Sequence, residues 1–138
     1  MSQMDEFNKK VIEDFRANGG NVGGQFKGAP MVLLTHTGAK SGKTYTTPLV
    51  YSRDGDRVVI IASKAGSDTN PDWYHNLRAH PEVTLEIGGE KFQARAKAAT
   101  GAERERLFDQ QAKMMPLFDD YRKKTKREIP VMVLERVA

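Results

Sequence analysis

Apolar positions in this chain recur with two periods, and the switch between them marks out its elements. Met4, Phe7, Val11 and Phe15 stand three or four residues apart, with Ile12 beside them, so Ser2–Ala17 is predicted as a helix. Ser2 and Asp5 have capping-box spacing, and Asn18-Gly19-Gly20 is a stop signal. Asn21–Pro30 is a glycine-rich loop without the GxGxxG order or the preceding strand of a dinucleotide site. The period then falls to two. Met31–Thr37 reads as a buried strand, and Thr44–Ser52 and Val58–Ser63 read as a hairpin closed by Arg53-Asp54-Gly55-Asp56-Arg57. A short helix is expected after Asn70, as N-cap, and Pro71, ending at His80-Pro81.

Val83–Ile87 alternates, Gly88-Gly89 turns, and Phe92, Ala94, Ala96 and Ala98 fall on one side of the next strand. Thr100-Gly101-Ala102-Glu103 has the form of a capping box before a helix carrying Leu107, Phe108, Gln111, Met114 and Met115. Pro116 ends that helix, Leu117–Lys124 forms another, and Ile129–Leu134 closes the chain as a strand. Pro130 suggests an edge or a bulge for that strand. About six strands joined mostly by tight turns, with about four helices, give an α+β protein: a mostly antiparallel small β-barrel with helices packed outside. Residues 1–20 are the N-terminal helix and 21–138 the barrel, one domain overall. The helix is expected to cover the core, since no lysine-rich polar face frames its apolar stripe. Peripheral contact with a membrane surface is the alternative use of that stripe.

Composition narrows the chemistry. The 138 residues contain no cysteine, which excludes disulfides, thiolate metal sites and cysteine nucleophiles. No apolar run approaches the roughly 18 residues of a membrane span, and the N-terminus has no signal-peptide pattern, so a cytoplasmic location is expected. The net charge is +4, and Lys27–Lys64, with six basic and two acidic residues, carries an excess of that size. A second basic cluster spans Arg122–Arg127. Neither aromatics interleaved with basic residues on one sheet face nor a recognition helix is evident, and nucleic acid is not expected as a partner.

The candidate chemistry sits in the turn Gly38-Ala39-Lys40-Ser41-Gly42-Lys43, between two β-runs. Glycines that let backbone N–H groups turn outward, together with lysine ammoniums, suit an anion and above all a phosphate. The turn is one residue short of a P-loop, and a strand, not a helix, follows it, so the nucleotide reading is rejected. An ordinary hairpin turn with solvated lysines remains the plain alternative. A second small cationic loop, Ser63–Ser67, precedes the helix that bears Trp73, the single tryptophan. His36, His75 and His80 lack metal-ligand spacing, and His36 reads as a satisfied polar residue. There is no GxSxG elbow. Cationic loops and aromatics without a nucleophile imply that a cofactor supplies the reactivity.

Three ordered segments, HTGAKSGKTYTTPLVY, DGDRVVIIASKAGSDTNPDWYHNL and HPEVTLEI, resemble the deazaflavin (F420)-dependent nitroreductase family of actinobacteria, as do Met115–Tyr121 and Ile129-Pro130-Val131. The resemblance runs from about Gly20 to the C-terminus and implies a split β-barrel of the flavin-reductase type with coenzyme F420 as cofactor. In that family a T-G-R-K-S-G-K-x-R segment binds the phosphate and oligoglutamate tail. Lys40, Ser41, Gly42 and Lys43 match it, whereas Ala39 and Tyr45 stand where many members carry arginine. The resemblance places Thr46, Thr47, Pro48, Leu49 and Val50 along the ring. Ile61, Ala62, Ser63 and Lys64 match the second loop, and Trp73, Tyr74 and Asn76 the neighbouring helix. Met115, Phe118 and Tyr121 occupy positions where nitroimidazole-reducing relatives place tyrosines in the substrate pocket, and Tyr121 alone keeps a hydroxyl as a proton donor. The implied activity is hydride transfer to a small electron-poor acceptor: a quinone, an enone or a nitroaromatic. FMN or haem in the same fold, and a non-enzymatic carrier of the coenzyme, are the alternatives. The sequence leaves the oligomeric state open.

Overall fold

The computed structural model describes residues 3–19, 30–64 and 69–137. Ser2, the side chains of Met4, Asp5 and Phe7, the glycine-rich segment 20–29 and residues 65–68 lie outside the described part. The order is α1 (Gln3–Ala17), β1 (Met31–Thr37), β2 (Thr44–Val50), β3 (Ser52–Asp54), β4 (Arg57–Ile61), α2 (Asp72–Ala79), β5 (Glu82–Ile87), β6 (Glu90–Ala98), α3 (Gly101–Met114), α4 (Leu117–Lys124) and β7 (Val131–Arg136).

All seven strands form one antiparallel sheet in the order β2-β1-β5-β6-β7-β4-β3. The seventh strand arises because the expected run Thr44–Ser52 is broken at Tyr51. β2 pairs with β1, whereas β3 pairs with β4 at the far edge. The expected hairpin is thus made by β3 and β4 alone, around Gly55 at φ +62°. Six inter-strand gaps would set the edges of a flat sheet roughly 29 Å apart. One residue separates the end of β2 from the start of β3, a reach of roughly 7 Å. The sheet therefore has to curl into a half-barrel.

Curling gives the sheet an inner and an outer face, and the three apolar runs are buried on both. Val32, Leu34, Val58, Ile60, Met132 and Leu134 point inward with Val83, Leu85, Ala94 and Ala96, and α2 plugs this core with Trp73 and Leu77. Val59, Ile61, Val131 and Val133 point outward beneath Leu107, Phe108 and Phe118 of α3 and α4. Met31 and Leu33 point outward beneath Val11 and Phe15 of α1, so the apolar stripe of α1 covers the core. Gly19, at φ +63°, follows α1 as expected.

Five local expectations are corrected. β7 lies between β6 and β4, not at an edge; Pro130 sits just before it, and its carbonyl accepts from Ala62 N–H at 2.9 Å. The N-cap of α2 is Pro71, not Asn70, because the Asn70 amide oxygen accepts from Arg127 at 2.7 Å. Thr100 makes no side-chain cap, and Glu103 instead pairs with Arg57 at 3.3 Å. Met114 is exposed and Met115 leaves the helix as its C-cap, while Ala98 is exposed and Ala99 takes the buried place. Asp54, held by Arg106 at 3.0 Å and by Arg57, ties β3 to α3, and these guanidiniums keep its carboxyl well below the usual range.

Leu107 is fully buried where α3 meets the outer face. Leu107→Ala is expected to lower unfolding free energy by about 2–5 kcal/mol, read from urea denaturation.

Candidate functional site

The turn after β1 is tight because Gly38 N–H donates to the Lys43 carbonyl at 2.7 Å and Gly42 N–H to the Gly38 carbonyl at 3.0 Å. A Cβ on Gly38 would come within 2.4 Å of Ser41 Oγ and 3.0 Å of the Tyr45 ring, so any larger residue there would displace the Ser41 hydroxyl. Gly42 has φ +71°, a conformation L side chains rarely adopt. Lys43 N–H donates to Ser41 Oγ at 3.1 Å, and the same hydroxyl bonds the Tyr45 phenol at 3.2 Å.

Asn76 holds the turn to the barrel. Its Oδ1 accepts from Ala39 N–H at 2.9 Å, and its Nδ2 donates to His36 Nδ1 at 3.1 Å. Ala39 N–H can only donate, so the amide oxygen faces it and the amide nitrogen faces His36. His36 Nδ1 is therefore an acceptor, and Nε2–H donates to Thr47 Oγ1 at 2.9 Å. This chain requires a neutral imidazole. Burial pushes the His36 pKa down to about 4, the charge of Asp72 opposing it weakly. The expectation that His36 is satisfied holds, with a consequence the sequence could not show: its partner also fixes the turn.

Four of the six N–H groups from Gly38 to Lys43 are thus engaged. Among the described residues, the adjacent N–H groups of Lys40 and Ser41 keep no internal acceptor. Lys40 and Lys43 are exposed and meet no carboxylate among the described residues. Two amides and two ammoniums without a partner among the described residues, on one tight turn, have the chemistry to hold an anion.

Along β2 the side chains divide by face. Tyr45, Thr47 and Leu49 register with the inward His36, Leu34 and Val32. Thr46, Pro48 and Val50 register with Thr35, Leu33 and Met31 on the outer side and are half-buried. Val50 packs against both the α1 cluster and the α3–α4 cluster, which includes Met115, Phe118 and Tyr121. The outer face of β2 therefore runs from this turn to the α4 wall. Tyr121 meets Phe118 edge to face at 5.5 Å, and burial pushes its phenol pKa up.

At the second loop Ile61, Ala62 and Ser63 are buried, and Lys64 takes φ +47° with its ammonium on Thr69 Oγ1 at 3.2 Å. Arg127 fixes this loop, donating to the Ala62 and Ser63 carbonyls at 3.2 and 3.0 Å and to Asn70. Sequence reasoning missed this clamp because Arg127 lies in a run that reads as solvated charge; the signal is the pairing of β7 with β4, which brings the two segments together. Arg122 is likewise bound, to Asp109 and Asp119 and over the Phe108 ring. Trp73 is buried in the inner core, whereas Tyr74 is half-buried, its hydroxyl accepting from Arg78 at 2.9 Å. Among the described residues no cluster of His, Asp or Glu could hold a metal ion.

The family model for F420H(2)-dependent quinone reductases matches residues 7–136. An F420H(2)-dependent quinone reductase of Mycobacterium tuberculosis is 40% identical over 126 residues, 88% of this chain and 85% of the relative. The structure of an F420-H2 dependent reductase is 36% identical with a TM-score of 0.72, covering 77% of this chain and 94% of that one. A structure described as a domain-swapped dimer is 31% identical with a TM-score of 0.73, covering 97% and 100%. A haem storage protein from Vibrio cholerae, 12% identical with a TM-score of 0.60 over 95% and 91% of the two chains, shares the fold alone.

The neutral His36 contributes stability that is present in full above about pH 6.5 and lost as pH falls to about 4, by about 3 kcal/mol at most. Urea titrations across this window are expected to show a fall in wild type that exceeds the fall in His36→Gln.

Proposed function

This chain belongs to the F420H(2)-dependent quinone reductase family, and we propose that it is an oxidoreductase passing a hydride from reduced coenzyme F420 to a quinone, with the Gly38–Lys43 cradle holding the coenzyme's acidic tail. The observation that carries the assignment of the tail is the pair of unengaged N–H groups at Lys40 and Ser41 between two unpaired lysines. A phosphate and a run of carboxylates are the ligands such a cradle suits. Gly38 lets the backbone close, and Asn76 acts on the tail indirectly: both ends of its amide are occupied by Ala39 and His36, which makes it a positioning residue. Thr46, Pro48 and Val50 are proposed to lie along the ring on the outer face of β2. Trp73 supports α2 from the core and is proposed to shape the site from beneath.

Reduced F420, when bound, supplies the hydride. The chain's own part is to position and to protonate. Turning a quinone into a hydroquinone takes one hydride and one proton in all: the hydride brings both electrons and one hydrogen, and the proton completes the second hydroxyl. Burial keeps the Tyr121 phenol protonated at neutral pH, and it is proposed to give a proton to the acceptor oxygen and regain it from solvent. Met115 and Phe118 offer apolar surface to the acceptor ring. Enones and nitroaromatics share the electron-poor conjugation of a quinone and are proposed as secondary acceptors.

The test is coenzyme binding and turnover with Lys40→Ala/Lys43→Ala. The double variant is expected to weaken coenzyme binding by about 10- to 100-fold, with a shallower salt dependence and a much smaller change in kcat. Unchanged binding would remove the cradle from the mechanism. Tyr121→Phe is expected to lower kcat by about 100-fold while leaving coenzyme affinity intact, read in quinone-dependent oxidation of the reduced coenzyme.

A further inference from the structure

Gln111 is the one polar side chain of α3 with no exposed surface, and it stands in apolar surroundings. It lies one turn beyond Leu107 and Phe108, both fully buried in the outer cluster, and beside Ala112 of the same cluster. Neither its amide nitrogen nor its amide oxygen has a partner among the described residues. Ser52 Oγ, also buried, shares that condition. Ser52 registers with Val59, a member of the same cluster, so its side chain points to the same outer face. The neighbouring Gln110 donates to the Arg53 carbonyl at 2.6 Å, which fixes this turn of α3 over β3. Val50, two residues before Ser52 and on the same face, carries the outer side of β2 into the cluster that Met115 and Tyr121 border.

An unpartnered buried polar atom costs about 1–3 kcal/mol, and Gln111 of α3 and Ser52 of β3 leave three of them on the outer side of the sheet, which a ligand with oxygen atoms to offer would satisfy. We propose that Gln111, with Ser52, forms the polar end of the acceptor pocket, closed in the free protein, and hydrogen-bonds a ring oxygen of a quinone that enters beside Met115 and Tyr121. An amide suits both sides of the reaction. Gln111 Nε2–H donates to the carbonyl of the quinone, and Oε1 accepts from the hydroxyl of the hydroquinone, so the same side chain holds substrate and product. A lysine would do only the first and a carboxylate only the second. Gln111 is thus a specificity residue for acceptors bearing carbonyl oxygens, and this rests on the functional reading above.

The experiment uses the full chain loaded with oxidised coenzyme, so no turnover occurs, and 2-methyl-1,4-naphthoquinone as the probe. Quinone and coenzyme dissociation constants are measured separately for wild type, Gln111→Leu, Gln111→Met and Ser52→Ala, with 15N–1H spectra of the glutamine side-chain amides. The expected result is a shift of the Gln111 amide signals on quinone addition. Gln111→Leu is expected to bind quinone about tenfold more weakly, with unchanged coenzyme affinity and an equal or higher Tm, since it removes unpartnered groups. Gln111→Met carries the comparison if the leucine variant does not fold. Equal quinone affinity in a folded variant would overturn the proposal and leave Gln111 as an amide satisfied by internal water alone. Wild type that binds coenzyme but no quinone would overturn it while leaving the cradle standing. Failure to bind coenzyme would overturn the functional reading and the proposal with it.

Discussion

Two edges of a seven-stranded sheet are one residue apart, and most of this molecule follows from that constraint. Tyr51 links β2 to β3, so the sheet cannot lie flat. Once it curls, each central strand has a concave and a convex side to cover, which is why β1, β4 and β7 are apolar at consecutive positions and not at alternate ones. α2 fills the concave side from its end, while α1 and the α3–α4 pair cover separate parts of the convex side. The outer face of β2 is left half-buried between them, and Thr46, Pro48 and Val50, proposed to meet the coenzyme ring, lie along it.

The cradle at the start of β2 owes its rigidity to the plug. A single amide, Asn76 on α2, binds the turn with its oxygen and the barrel wall with its nitrogen. Because Ala39 N–H dictates the orientation of that amide, it also dictates the tautomer of His36. Core, turn and protonation state are therefore coupled through two hydrogen bonds. Engaging four amides fixes the turn and leaves those of Lys40 and Ser41 without an acceptor among the described residues, so an anion bound there would meet a pre-organised turn.

Much of this was legible in the residues. The alternation of β5 and β6, the Asp54-Gly55 turn and the position of Pro116 gave the elements, and the glycines of Gly38–Lys43 marked a tight turn between β-runs. What was not legible depends on partners distant in sequence. Nothing near Tyr51 announces a break, because the break is imposed by closure. Asn70 has the local features of a cap, yet a guanidinium 57 residues away takes its oxygen. Arg127 reads as one cation in a basic run and becomes a clamp only when β7 lies beside β4. Gln111 fits a helical face by spacing, and only burial shows that its amide has no partner. A strand position suits a satisfied His36, but the groups that satisfy it, Asn76 and Thr47, lie 40 and 11 residues away.

The central claim is that the amides of Lys40 and Ser41 receive the acidic tail of coenzyme F420. It is tested most directly by titrating 15N-labelled protein with the coenzyme and following backbone amide signals from Gly38 to Lys43. The Lys40 and Ser41 signals are expected to move strongly downfield, while those of Ala39 and Gly42, already bonded, move least. Saturable coenzyme binding that leaves Lys40 and Ser41 in place, with the large shifts elsewhere, would contradict it.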